Sequence, residues 1–283
     1  MGQTFAEKIL ASKSGQTKVV PGQIVTVHPD RLLSHDNTSA IVGKVKDDLK
    51  KHGVRSPEMH VVVLDHVTPA ATEKDAAGHK KAREYVKSYG IKSFYDVGAG
   101  ICHQIMVEQG LALPGALVLG SDSHTCMYGA LGAFATGIDR TEAAALLLTG
   151  ETWLKVPESI RVTLHGKLAP WVTAKDLVLH LIGQLGADGA TYAAVEFHGD
   201  TAGLTMDDRL TIANMGIEMG AKIAAFAPDE QTHAYLAAHG VARGAYVPSW
   251  ADADASYSSD LTLELALDER PPSGDALQLP FPS

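Results

Sequence analysis

Three short apolar runs constrain this chain more than anything else in it. Met59–Leu64 (MHVVVL), Ser93–Val97 and Ala116–Leu119 are each of strand length. Each precedes a helical segment that ends on glycine: Thr72–Tyr89 before Gly90, a short helix before Gly110, and a third before Gly150. Strands alternating with helices predict a parallel sheet with helices on its faces. Runs apolar at consecutive positions belong to strands covered on both sides. In such sheets ligands sit outside the carboxyl ends of the strands, so the residues just after each run are the place to look for chemistry.

Those residues are polar and specific. The first run ends in Asp65-His66, the second in the turn Gly98-Ala99-Gly100 before Cys102-His103, and the third in Asp122-Ser123-His124. One histidine at a strand end is usually a hydrogen-bonded structural residue. Three at one rim, two of them beside or one residue from an aspartate, predict a shared site. An aspartate next to an imidazole fixes its tautomer and raises its basicity, which suits proton transfer near neutral pH. Glycines at 98, 100, 129, 132 and 137 let the backbone approach a ligand closely. Asp139 with Glu142 marks the start of the helix that stops at Gly150. A nucleophilic Ser123 is disfavoured, because adjacent strand residues face opposite ways and no G-x-S-x-G is present. Upstream, Ser34–Thr38 precedes a helix from about Ser39 to Lys51; Asp36 or Thr38 would cap it, which leaves His35 unexplained.

Pro157 punctuates a restart of the pattern, giving expected domains at 1–157 and 158–250 and a tail at 251–283. The second unit reads as strand Ile160–Leu164, a helix opened by Thr173 and Asp176, strand Tyr192–Phe197, helix Met206–Met219 opened by Thr205 and Asp208, strand Lys222–Phe226 and helix Pro228–His239. Glu196 sits among apolar neighbours, and a buried carboxylate must be paired or poised for function. Asp260–Leu267 alternates as a half-exposed strand. The residues after it, Arg270–Gly274 and Pro280–Ser283, are loop-like, so the strand reads as the entrance to a further domain.

Composition closes off several classes. With 33 acidic against 24 basic residues the net charge is −9, which disfavours nucleic acid or an anionic membrane as partner. No run approaches the ~20 apolar residues of a membrane span, and the N-terminus lacks a signal-peptide pattern. Two cysteines, Cys102 and Cys126, outside any C-x-x-C pair, fit a reducing cytoplasm.

The segments TFAEKILA, HDNTSA, VLDHVTPA, GAGICHQIMVEQG, GSDSHTCMYGALGAFATGID, AAVEFHG and LTIANMGIEMGAK, in this order, resemble the N-terminal two domains of the aconitase superfamily, most of all the separately encoded large subunits of 3-isopropylmalate dehydratase and homoaconitase. The resemblance implies an α/β fold of parallel sheets flanked by helices. It also implies a cytoplasmic hydro-lyase that isomerises a hydroxy-polycarboxylic acid by dehydration and rehydration in amino-acid (leucine) biosynthesis. The family works with a [4Fe–4S] cluster, one iron of which is not held by cysteine and acts as a Lewis acid, and with a small swivel-domain subunit. Carried over, Asp65 and His66 resemble the pair that protonates the departing hydroxyl. His103, Asp122 and His124 resemble residues contacting the iron-bound hydroxyl and substrate, Glu196 the carboxylate near the cluster's water, and His35 and Ser123 substrate contacts. Arg140 departs from the pattern and would add a cation beside the site.

The family's Ser-Cys-Thr-Asn and Cys-x-x-Cys ligand motifs are absent from this sequence, as are its substrate-binding arginines and serine base. The expectation is therefore an isolated chain that is colourless and inactive until a cluster-bearing C-terminal segment and a small subunit join it. A truncated piece, a separately made half or a cluster-free descendant would each fit. Two other readings stay open: a non-catalytic half that binds a partner chain, and a lyase using one metal ion held by His66, His103, His124 and the aspartates, although no H-x-x-x-H spacing is present.

Overall fold

The computed structural model describes residues 2–265. The chain opens with helix α1 (Phe5–Lys13) and strand β1 (Ile24–Val27), then builds a first unit from β2 (Arg31–Ser34), α2 (Thr38–Lys44), α3 (Lys46–His52), β3 (His60–Val63), α4 (Glu73–Tyr89), β4 (Ser93–Tyr95), α5 (Cys102–Glu108), β5 (Leu117–Gly120), a 3-10 segment (Ser123–Leu131), β6 (Phe134–Gly137) and α6 (Arg140–Thr149). Strand β7 (Thr152–Lys155) returns to pair antiparallel with β1. A second unit follows with β8 (Ser159–His165), α7 (Ala174–Leu185), β9 (Ala194–Gly199), α8 (Met206–Asn214), β10 (Ile223–Phe226), α9 (Glu230–Ala238) and β11 (Ser259–Glu264).

Both main sheets are wholly parallel. The first runs β4-β3-β2-β5-β6 and the second β10-β9-β8-β11. Strand β3 is buried at all four positions, as its unbroken apolar run requires. Its residues divide between two cores: Val61 and Val63 face one with Leu33 and Val118, while Val62 faces the other with Leu32, Leu117 and Leu119. That is the two-residue period of a strand sandwiched between helix layers. His60, in the same strand, is a satisfied core residue. It bonds Ser34 and Tyr85 at 2.8 and 2.9 Å, and burial pushes its imidazole down to about 3, so the ring stays neutral.

Several boundaries differ from the sequence reading. Strand β2, which pairs with both β3 and β5 in the middle of the first sheet, is four residues that begin with Arg31, too short and mixed to show a period. The helix expected over 39–51 breaks at Val45, whose φ of −125° interrupts the α-turn between α2 and α3. Neither Asp36 nor Thr38 caps α2: the cap position is Asn37, with no side-chain cap bond, and Asp36 is engaged elsewhere. The alternating segment after Asp260 adds β11 to the edge of the second sheet beside β8, burying Leu263 and Leu265. It therefore packs as part of that sheet. Leu267, Arg270–Gly274 and Pro280–Ser283 lie outside the described residues. The capping boxes expected at Asp139/Glu142, Thr173/Asp176 and Thr205/Asp208 are all formed. Among the described residues no helix is long and apolar enough to cross a membrane.

The 3-10 segment after β5 lies against both sheets. A Cβ at Gly129 would stand 2.0 Å from the Ala224 carbonyl oxygen of β10, so the strand backbone and this segment touch only because the side chain is missing. Gly129→Ala should destabilise the protein by about 1–3 kcal/mol, the usual effect of overpacking. Gly43→Ala, in α2 with open space around its Cβ, should be neutral or slightly stabilising. Urea midpoints of the two variants check the contrast.

Candidate active site

Strand order places the site. The chain builds β2, β3 and β4 in one direction and β5 and β6 in the other, so the order reverses between neighbours β2 and β5, where a crevice opens at the carboxyl ends. His35-Asp36 follows β2, Asp65-His66 follows β3, and Asp122 follows β5. Cys102-His103 begins α5 after the glycine turn beyond β4.

Asp122 is the centre. Its Oδ1 is 2.9 Å from Nε2 of His103 and accepts the backbone N–H of His124 at 2.8 Å. Its Oδ2 is 3.2 Å from Nε2 of His66. The His103 ring above all, with the N–H of His124, holds the Asp122 carboxyl far below the usual carboxylate range, against the opposing effect of burial. His66 also meets Asp65, whose Oδ1 is 2.7 Å from its Nδ1. Burial opposes the charge on His66, but two carboxylates, one at each ring nitrogen, outweigh it and raise its pKa. The ring is therefore held as imidazolium to higher pH than a free histidine, and it is 39% exposed at the crevice.

The other members are held in place by their neighbours. Nδ1 of His103 is 2.8 Å from the Tyr128 hydroxyl, and that phenol is kept protonated by complete burial. The ionised Asp122 carboxylate can only accept, so Nε2 of His103 donates to it. His35 stacks on His66, ring centroids 3.9 Å apart, and burial with the neighbouring His66 charge lowers its pKa. Asn37 donates to the Ser121 carbonyl at 3.0 Å and lies 2.7 Å from Nε2 of His35, tying the β2 and β5 loops together. Ser123 is exposed at the rim, its Oγ 3.4 Å from Nδ1 of His124.

Of two further expected members, one borders the crevice and the other does not. Arg140 is exposed at the start of α6 and lines an open cleft of about 490 Å³ with Lys44, Ser121, Asp139 and Thr141, beside the Asp122 cluster. Glu196, on β9, is fully buried and takes its hydrogen bonds from Ser159 (3.1 Å), Tyr257 (3.0 Å) and the Ala6 N–H (3.4 Å), with His198 at 3.8 Å. These partners belong to the second sheet, the segment just before β11 and α1. The network joins the N-terminal helix to that sheet.

The thiols do not suit a cluster. Burial pushes Cys102 far above the usual thiol range and Cys126 up to about 12, whereas a cluster is held by thiolates. Two cysteines are also one fewer than the three that the resemblance implies. As for a single ion, His35, Asp36, Asp65 and His66 bring ligand atoms within 4.8 Å of one another. Yet the two rings are stacked nearly parallel, with 21° between planes, so their lone pairs do not converge on one point. Asp36 is already fully engaged: Oδ2 accepts the N–H of Asp65 (3.1 Å) and His66 (2.7 Å), and Oδ1 lies 2.6 Å from Nε2 of His79. Sequence reading missed Asn37, His79 and Tyr128 altogether. Asn37 lies in the HDNTSA segment and Tyr128 in GSDSHTCMYGALGAFATGID, whereas His79 carries no local pattern.

Comparison with known proteins identifies the family. A profile of the aconitase family (aconitate hydratase) matches residues 7–267. The 3-isopropylmalate dehydratase large subunit of Aquifex aeolicus is 47% identical over 263 residues, 92% of this chain and 60% of that protein. Large subunit 1 of the same enzyme from Methanopyrus kandleri is 44% identical over 267 residues, 94% of this chain and 63% of that one. Among solved structures, the holo-form of Thermococcus kodakaraensis aconitase X superposes with a TM-score of 0.45 at 14% identity, covering 92% of this chain and 62% of its own. The chain thus spans about 60% of the length of the curated relatives it matches. With a family match that runs through both parallel sheets and all the clustered histidines, the chain belongs to the aconitase family.

Proposed function

We propose that this chain is the proton-handling part of an aconitase-type hydro-lyase acting on a hydroxy-polycarboxylate, 3-isopropylmalate or a close analogue. The observation that carries it is His66, an exposed imidazole held between the carboxylates of Asp65 and Asp122 at the carboxyl rim of the first sheet. Loss of water from a β-hydroxy acid needs a proton for the departing oxygen. His66 offers one from a solvent-facing site, and Asp65 and Asp122 favour its protonated form. His103, bonded to Asp122, and His124, whose backbone N–H Asp122 accepts, have ring centroids 6.3 Å apart and orient the hydroxyl-bearing end. Arg140 and Lys44 beside the crevice supply positive charge for a substrate carboxylate. The base that takes the carbon-bound proton, the [4Fe–4S] ligands and a small subunit would come from outside this sequence. An acidic chain with two buried thiols is at home in a reducing cytoplasm.

The test is a chimera. Residues 1–265 are joined to the remaining part of the Aquifex aeolicus large subunit and combined with that enzyme's small subunit under anaerobic iron and sulfide. Formation of the unsaturated acid from 3-isopropylmalate is expected, and His66→Ala should lower its rate roughly 10²–10⁴-fold. A folded, iron-loaded chimera with no turnover, or one indifferent to His66→Ala, would overturn the reading. The 283-residue chain alone should purify without iron or colour, as checked by metal analysis.

A further inference from the structure

We propose that His79 on α4 and Asp36 after β2 form a brace that sets the backbone of Asp65-His66, making His79 a positioning residue for the His66 ring. The inference rests on the hydro-lyase reading for its catalytic meaning, since it acts through His66, but the geometry stands without it.

Asp36 spends both carboxylate oxygens on this one task. Its Oδ2 takes the N–H groups of two consecutive residues, Asp65 at 3.1 Å and His66 at 2.7 Å. These lie just past the end of β3, where no strand partner would otherwise satisfy them. Its Oδ1 meets Nε2 of His79 at 2.6 Å. Burial alone would raise the Asp36 carboxyl, yet the N–H of His66, the His79 ring and the N–H of Asp65 together keep it ionised. Its neighbour Asn37 holds the Ser121 carbonyl, so one turn fixes the loops that carry both carboxylates around His66.

His79 is out of place as packing. Helix α4 is polar along its length and buries only His79, Ala82 and Tyr85. An imidazole in that stripe would cost stability without a partner, whereas an apolar residue would not. Among the described residues its hydrogen-bond partner is Asp36. His66 needs such a brace because both its ring contacts depend on where its backbone stands. Nδ1 must reach Asp65 on the same loop and Nε2 must reach Asp122 on another strand, 56 residues on. A loop displaced by about 1 Å would lose one of the two.

The experiment uses the ¹⁵N-labelled 283-residue chain, so that it reads the brace without any turnover. In the unmodified protein the N–H of His66 should exchange with solvent at least about tenfold more slowly than an unstructured amide, and the His66 ring should stay doubly protonated to higher pH than a free histidine. His79→Gln, whose amide nitrogen reaches as far as Nε2, should keep both signatures. His79→Asn, one methylene too short, should lose the amide protection and return the His66 ring to an ordinary mixture of tautomers. Unprotected exchange of His66 in the unmodified chain overturns the brace, as does a folded His79→Asn that behaves like the parent. Should His79→Asn not fold, His79→Gln decides: retained signatures support the brace, and their loss overturns it.

Discussion

Asp122→Asn is expected to lower turnover of the completed enzyme roughly 10²–10⁴-fold, the range for loss of a general acid–base group. The loss should fall mainly on kcat. The side chain keeps its size, but its charge holds three groups at once: His66, His103 and the N–H of His124. An amide at 122 can accept from only one ring without turning its NH₂ toward another donor. His66 then loses one of the two carboxylates that raise its pKa, so the alkaline limb of the pH–rate profile should move to lower pH.

The same variant has a stability signature of defined sign. The folded-state pKa of Asp122 is depressed, so its contribution is present above the unfolded carboxylate value near ~3.9 and fades as pH falls through the folded value. Asp122→Asn should therefore be less stable than the parent at pH 7, and the gap should narrow on acidification below about pH 4. The raised pKa of His66 acts oppositely: its contribution is full below the unfolded histidine value near ~6.5 and is lost as pH rises through the folded one. Urea midpoints across pH 3–9 separate the two. A gap that stays constant with pH would show that Asp122 is not held ionised by its partners.

Asp229→Ala is expected to be the most destabilising single change, about 3–5 kcal/mol. Arg209 on α8 is fully buried and reaches both oxygens of Asp229 at 2.9 and 2.5 Å, with a third bond to the Thr201 carbonyl at 3.0 Å. Removing the carboxylate leaves a guanidinium that cannot shed its charge in the second unit's core, 5.8 Å from the Phe226 ring. Asp229 also caps α9 through the Thr232 N–H at 3.1 Å, a loss of about 1 kcal/mol more. Arg209→Met with Asp229→Asn should recover much of the stability, because an apolar side chain of similar length needs no counter-charge. Thermal unfolding midpoints of the single and double variants check this; a single variant within about 1 kcal/mol of the parent would show that water reaches Arg209.

The alternation of apolar runs with glycine-stopped helices determined the parallel sheets, because strand burial and helix capping are written within a few residues of themselves. The positions of Asp65, His66, His103, Asp122 and His124 were legible for the same reason: each stands at the end of a recognisable element, and the family motifs pass through them. What joined them was decided only by tertiary structure. Strand β2 is too short and too mixed to show a period, yet it sits between β3 and β5 and creates the crevice. That Asp122 rather than Asp65 is the hub, that Asp36 grips another loop instead of capping its own helix, and that Glu196 serves the second sheet are consequences of hydrogen bonds between residues 19 to 190 positions apart. Such bonds leave no periodicity in the chain; a buried carboxylate takes whichever donors the fold brings to it, and only the packing of the sheets says which.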